Sequence, residues 1–248
     1  MIDAATCNAR KTVGCGQHAP TALTDANPGG NTIDPSTDTE YVTTFDNTLQ
    51  VINGATCRAG NVTGCGQPAP ATLAGPAPFS VAINPSTSSV YVGDSGEFEG
   101  GFPWSISVLD AATCNTIDSA GCSATPINFT RPALPFALTA DPTNDTIYSS
   151  DLFLDTNGDL GDTVSAIDGA TCNATVTSGC GATPAGLTIP GAADGSAEDV
   201  ATHTLYVADN SAPGCRCSTP RRATPPTPAA AASPRPRYRS GPSRCQSR

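Results

Sequence analysis

The sequence predicts an all-β fold, a β-propeller of four-stranded antiparallel blades, and three observations carry that prediction. One stretch is written four times, as Met1–Cys7 (MIDAATC), Val51–Cys57 (VINGATC), Val108–Cys114 (VLDAATC) and Ala166–Cys172 (AIDGATC). Its first cysteines lie 50, 57 and 58 residues apart, and self-similarity at such a period marks a repeat architecture. The 24 Gly and 23 Pro among 248 residues suit many short strands joined by turns better than helices. Finally, each unit carries short alternating apolar and polar segments, and four antiparallel strands per unit make a propeller blade.

Taken in order, the first copy at Met1 supplies the last strands of one blade. The next unit reads Asn31–Asp34, then Thr39–Val42 and Thr48–Ile52, with Pro35 closing the first strand. The following one is the clearest: Phe79–Asn84 ends at Pro85, Ser89–Gly93 follows a polar turn, Trp104–Asp110 alternates with period two, and Pro126–Thr130 is a short fourth strand. The same order returns in Phe136–Asp141, Asp145–Tyr148, Asp162–Asp168 and Gly186–Ile189. The last unit begins with Glu198–Ala201 and His203–Asn210 and then stops.

The Asn/Asp-Pro-Ser/Thr turn, the Val-Tyr-Val strand (Val90–Val92) and the Val-Ile-Asp strand resemble the YVTN family of β-propeller repeats over residues 1–211. That resemblance implies a ring of around seven blades, and the C-x7-C loop departs from the family's usual unit. The units here, beginning near residues 1, 51, 108 and 166, supply about four blades, so the expectation is a four-blade ring closed by a composite blade or an incomplete arc of a larger ring. Residues 212–248 lack apolar patterning and carry eight Arg with no Asp or Glu, which predicts a disordered basic tail. Its onset in mid-blade suggests an out-of-frame segment; the competing reading is a basic arm for acidic polymers or membrane surfaces.

Charge narrows the partners. Residues 1–211 carry a formal −18, which repels phosphate and argues against nucleic acid as a ligand of the body. No apolar run is long enough to span a membrane. Eight of the 11 cysteines recur as C-x7-C: Cys7 with Cys15, Cys57 with Cys65, Cys114 with Cys122, Cys172 with Cys180. Metal sites favour shorter spacers and more His than the two present, so disulfides are the better reading and place the protein in an oxidising, extracellular or cell-surface setting.

Two insertions are candidate sites. Asp155, Asn157, Asp159 and Asp162 offer alternating oxygens around Gly158, as in half a calcium loop, although the spacing departs from that motif and turn-forming residues explain the segment equally well. Phe98, Phe102 and Trp104 form an aromatic loop suited to recognition, with packing against the adjacent blade as the other reading. Gly93-Asp94-Ser95-Gly96 copies a serine-protease signature, but its strand context and the lack of a matching His exclude that chemistry. His18 and His203 read as rim residues.

The functional expectation is a non-enzymatic extracellular scaffold or binding module for a protein or carbohydrate ligand, with no cofactor beyond calcium. The alternative is a lactonase-like hydrolase or lyase holding a divalent cation at the propeller channel. A cluster of inward carboxylates and His that breaks the repeat symmetry separates the two; the repeated Asp3, Asn53, Asp110 and Asp168 do not break it.

Overall fold

A computed structural model describes residues 1–15, 27–65, 71–96, 103–154, 160–189 and 193–209. Three four-stranded meanders and one strand pair follow one another along the chain. The first sheet holds β1 (Pro28–Asp34), β2 (Thr39–Thr44), β3 (Thr48–Asn53) and β4 (Ala71–Leu73). The second holds β5 (Pro78–Asn84), β6 (Ser89–Asp94), β7 (Ser105–Asp110) and β8 (Ile127–Thr130). The third holds β9 (Leu134–Asp141), β10 (Thr146–Leu154), β11 (Leu160–Asp168) and β12 (Ala185–Ile189), and β13 (Ala193–Asp199) pairs with β14 (Thr204–Asp209). All pairings are antiparallel between sequence neighbours, and the first strands β1, β5, β9 and β13 lie against one another in turn. This is the blade order of a propeller, in an incomplete arc.

Identical local chemistry builds each blade. At the end of the first strand, Asp34, Asn84, Asp141 and Asp199 each accept a bond on Oδ1 from the backbone N–H two residues on, at 2.8 to 3.2 Å. The turn then passes through a left-handed residue, Asp38, Ser88, Asp145 or His203, with φ between 48° and 55°. Side-chain-capped turns of this kind set the hairpin register without help from the core. His203 is therefore the last turn residue, not the first of a strand, and the fourth unit's first strand runs over Ala193–Asp199 instead of Glu198–Ala201, because Asp199 caps the turn.

Alternation then assigns each face to a neighbour. Val90 and Val92 of β6 pack on Tyr41, Leu49 and Val51 of the first sheet, while Tyr91 between them packs on Leu138, Ile147 and Ile167 of the third. Period-two burial on both faces is what blade-on-blade stacking demands of a middle strand.

The repeated Asp-Ala-Ala-Thr-Cys stretch is a turn with a structural role. Asp3, Asn53, Asp110 and Asp168 accept bonds on Oδ1 from the N–H of Ala5, Ala55, Ala112 and Ala170, and their carbonyls accept from the N–H of the first cysteine. The four cysteine pairs stand at disulfide distance, with Cα–Cα separations of 4.6 to 4.7 Å. Glycine precedes each second cysteine because a Cβ there would run into the threonine hydroxyl of the same loop. The loops also reach across blades: Tyr41 donates its OH to the Cys114 carbonyl at 2.7 Å, and Tyr91 donates to the Cys172 carbonyl at 2.6 Å. The Cys114 and Cys172 loops are thus clamps on the preceding blade as well as staples within their own.

Closure by a composite blade does not occur among the described residues. Met1–Asp3 forms no strand, and β13–β14 stays a two-stranded sheet. Met1 instead packs on Val42, Ile52, Cys57 and Cys65 of the first blade. No described helix is long and apolar enough to cross a membrane.

Candidate functional site

Three features break the repeat. The first is a groove of about 420 Å³ where the first strands of three blades begin. Phe45, in the turn after β2, Phe79 in β5 and Phe136 in β9 form its aromatic side, with ring centroids 5.8 Å and 4.8 Å apart. Phe79 and Phe136 hold one repeat position, and Gly29 takes that place in the first blade. A Cβ on Gly29 would meet the Phe79 carbonyl, so this glycine lets the two strands approach. Asn31 and Ser80 are the polar side chains among the lining residues; rings, aliphatic groups and glycine backbone make up the rest.

The second feature is one buried carboxyl at the same repeat position in the second strand of each of the two middle blades, Asp94 and Asp151. Asp94 in β6 is fully buried; its Oδ2 accepts from Ser107 Oγ at 2.7 Å, Ser105 Oγ at 3.1 Å and Asn128 Nδ2 at 3.2 Å. Burial pushes this carboxyl up to about 7, with the Ser107 and Ser105 hydroxyls opposing. Asp151 in β10 occupies the same position but meets Arg131 Nη2 at 3.0 Å, both side chains being buried. Burial raises Asp151 too, and the Arg131 guanidinium opposes it.

Asp94 predicts a pH response of definite sign. Because its pKa is higher folded than unfolded, the fold is favoured while the group is protonated and loses stability as pH rises from the unfolded value through about 7. Asp94→Asn removes that loss, so its stability relative to the unsubstituted protein should improve by roughly 2–3 kcal/mol between about pH 5 and about pH 8. Urea unfolding at both pH values reads the difference; a gap that stays constant with pH refutes the assignment.

The third feature lies at the far end of β9, where β13 stacks on it. Asp141, Glu198 and His203 bring one carboxylate oxygen each and a ring nitrogen within 4.8 Å of one another. Asp141 is fully buried, with Thr143 donating to its Oδ1 from Oγ1 at 2.6 Å and from N–H at 2.8 Å. Its Oδ2 lies 3.9 Å from His203 Nδ1. Burial, then the Asp141 carboxylate beside it, pushes Glu198 up to about 7. Burial alone would raise Asp141, but Thr143, Glu198 and His203 together hold it below the usual carboxylate range. Burial and then the Glu198 and Asp141 charges raise the Tyr148 hydroxyl.

No family model matches this chain, and no curated protein matches it. Solved structures do. The hydrazine synthase of Kuenenia stuttgartiensis aligns at TM-score 0.50 and 17% identity, over 76% of this chain and 46% of that one. A chain of the mitotic checkpoint complex aligns at TM-score 0.46 and 16% identity, over 73% of this chain and 46% of the other. This chain thus spans less than half the length of each, and the likeness to the synthase shows the propeller fold alone.

The sequence-derived candidates fall unevenly on this frame. Phe98, Phe102, Asp155, Asn157, Asp159 and His18 lie outside the described residues. Asp162 sits in β11, its backbone paired with Leu152 and Ile189. Trp104 is half-buried just before β7, which begins one residue later than the alternation predicts, and its carbonyl accepts the Arg131 N–H at 2.7 Å. The protease-like tetrapeptide is structural: Ser95 is buried and donates its hydroxyl to the Ala77 carbonyl at 2.7 Å. Sequence reasoning did not single out Phe45, Asp141 or Glu198, named Asp94 only within the protease-like tetrapeptide, and read His203 as a rim residue rather than a ligand. For Glu198 a signal existed, since its repeat position is Ile33, Ile83 and Ala140 in the other blades.

Proposed function

We propose that the protein is a non-enzymatic binding module of an oxidising, extracellular or cell-surface compartment, built on YVTN-type propeller repeats, which takes a protein ligand in the groove of Phe45, Phe79 and Phe136. The observation that carries this reading is the groove's lining, made of aromatic and aliphatic groups with one amide and one hydroxyl. Such a surface buries apolar side chains of a partner and offers few of the polar groups that sugar hydroxyls need, which favours a protein over a carbohydrate. The groove offers a channel hydrolase no acid, base or metal ligand; the symmetry-breaking carboxylate and His cluster that the alternative calls for is Asp141, Glu198 and His203, at the other end of β9. The four cysteine pairs support the oxidising compartment.

The test is selection from a displayed random-peptide library on the full chain, with a glycan array in parallel. Peptides with apolar anchors should be enriched, and Phe45→Ala should weaken the best of them by about 10-fold, the scale of one well-buried anchor. Phe45 is 40% exposed, so the fold tolerates its truncation. Enrichment indifferent to Phe45→Ala and Phe79→Ala, or binding on the glycan array alone, overturns the reading.

A further inference from the structure

We propose that Asp141, Glu198 and His203 form a binding site for one divalent first-row metal ion of the zinc type, with its remaining coordination positions open to water. The site is separate from the groove proposed above and stands whether or not that groove binds a protein, because it lies at the opposite end of β9.

Four observations lead there. The donors come from three segments, the end of β9, the body of β13 and the left-handed turn before β14, and they converge within 4.8 Å. Asp141 Oδ2 and Glu198 Oε2 are both buried and meet no hydroxyl, amide or backbone donor, the two carboxyl groups facing each other instead. A fully buried carboxylate oxygen left bare is costly unless a cation or a donor meets it, and this one is aimed at the other two ligands. Thr143 occupies Oδ1, so the orientation that leaves Oδ2 free is held from behind, as outer-shell partners hold metal-binding carboxylates.

The preceding blade junction is the internal control. There Asn84 and Asp145 hold the positions of Asp141 and His203, and the Asn84 amide donates directly to Asp145 Oδ1 at 3.2 Å. That junction is satisfied by its own side chains. The next junction replaces the amide by a carboxylate, the aspartate by an imidazole, and the apolar residue of β9, Ala140, by Glu198 of β13. The three changes together replace that bond by a long 3.5 Å contact between His203 Nδ1 and Thr143 Oγ1 and bring three potential ligand atoms within 4.8 Å of one another.

The donor set selects the metal. Two carboxylates with one imidazole suit zinc, whose three-ligand sites keep a position for water, better than calcium, which takes oxygen ligands alone and more of them. Tetrahedral ligands around an ion at 2.0–2.1 Å lie about 3.4 Å apart, so the half-exposed His203 ring needs only a small inward movement.

The experiment is calorimetric titration of Zn2+ into the full chain, with any reactive thiols first alkylated under native conditions so that they do not compete. Visible d–d absorption of Co2+ reports the same site independently. Glu198→Gln keeps shape, and His203→Asn keeps a residue that tolerates the left-handed turn, so both variants should fold, as circular dichroism will show. The expected result is one ion per chain, a rise in Tm with Zn2+, and affinity reduced at least about 10-fold in each variant. Equal binding by both folded variants, or no saturable binding by the unsubstituted chain, overturns the proposal.

Discussion

Arg131→Ala is expected to destabilise the protein by about 3–5 kcal/mol at pH above 7, the cost of stripping a buried ion pair of one partner. Arg131 and Asp151 are almost fully enclosed and meet at 3.0 Å. Asp151 also accepts bonds from Ser149 and Ser165, so the carboxylate is held in place and cannot turn to water when the guanidinium goes. The repeat indicates what happens next. Ala74 takes Arg131's place before the second blade, since each donates its N–H into the preceding blade's β2–β3-type loop, to the Asn47 and Trp104 carbonyls. The acid of that blade, Asp94, meets no cation among the described residues, and burial pushes it up to about 7. Arg131→Ala should therefore turn Asp151 into a second Asp94, and the penalty should shrink toward pH 5 as the acid takes up a proton. The first blade provides the rescue: Thr44 sits at the acid's position and bonds the Thr48 hydroxyl at 2.7 Å, and Thr163 already occupies the Thr48 position in the third blade. Arg131→Ala with Asp151→Thr should recover most of the loss. Urea unfolding of both variants at two pH values checks this; a single-variant cost under about 1 kcal/mol, or a double variant no better than the single, contradicts it.

What the sequence disclosed and what it concealed divide along a physical line. Period-two alternation, the capping Asp of each turn and the cysteine pairs are local, and local chemistry repeats wherever the residues repeat; hence the blades were legible from Phe79–Asn84 or Val108–Cys114 alone. The sites are made by juxtaposition across blades. Glu198 meets Asp141 only because β13 stacks on β9, and Phe45 meets Phe79 only because one blade's turn overhangs the next blade's first strand. His203 read as a rim residue, and it is one, half exposed; its neighbour Asp141 was not visible from 62 positions away. The signal that could have found the site was asymmetry, a Glu where three blades carry Ile, Ile and Ala. Composite closure is likewise not visible among the described residues: Met1–Asp3 forms no strand, and the methionine packs on the first blade's cysteine loop instead.

Four tyrosines at one repeat position, Tyr41, Tyr91, Tyr148 and Tyr206, supply the sharpest stability test, because the chemistry is constant and only the covering blade differs. Tyr41, Tyr91 and Tyr148 are 1%, 0% and 4% exposed, whereas Tyr206 is 51% exposed. Tyr91 is enclosed by the third blade, packs on Leu138, Ile147 and Ile167, and donates its hydroxyl to the Cys172 carbonyl. Tyr91→Ala opens a large cavity, worth about 3–5 kcal/mol for an aromatic side chain, and leaves that carbonyl without its donor at a further cost of about 1–3 kcal/mol. Tyr91→Phe should show the second part alone. Tyr206→Ala lies on a face that no described blade covers, and substitutions at such sites stay within about 0.5 kcal/mol. If blade stacking through the cysteine-loop clamps holds the arc together, Tyr91→Ala should lower Tm far more than Tyr206→Ala and should also speed proteolysis between the second and third blades. Near-equal effects at the two positions would mean that Tyr206 is covered in solution, by a further blade or a second copy, and would place an interface on that face.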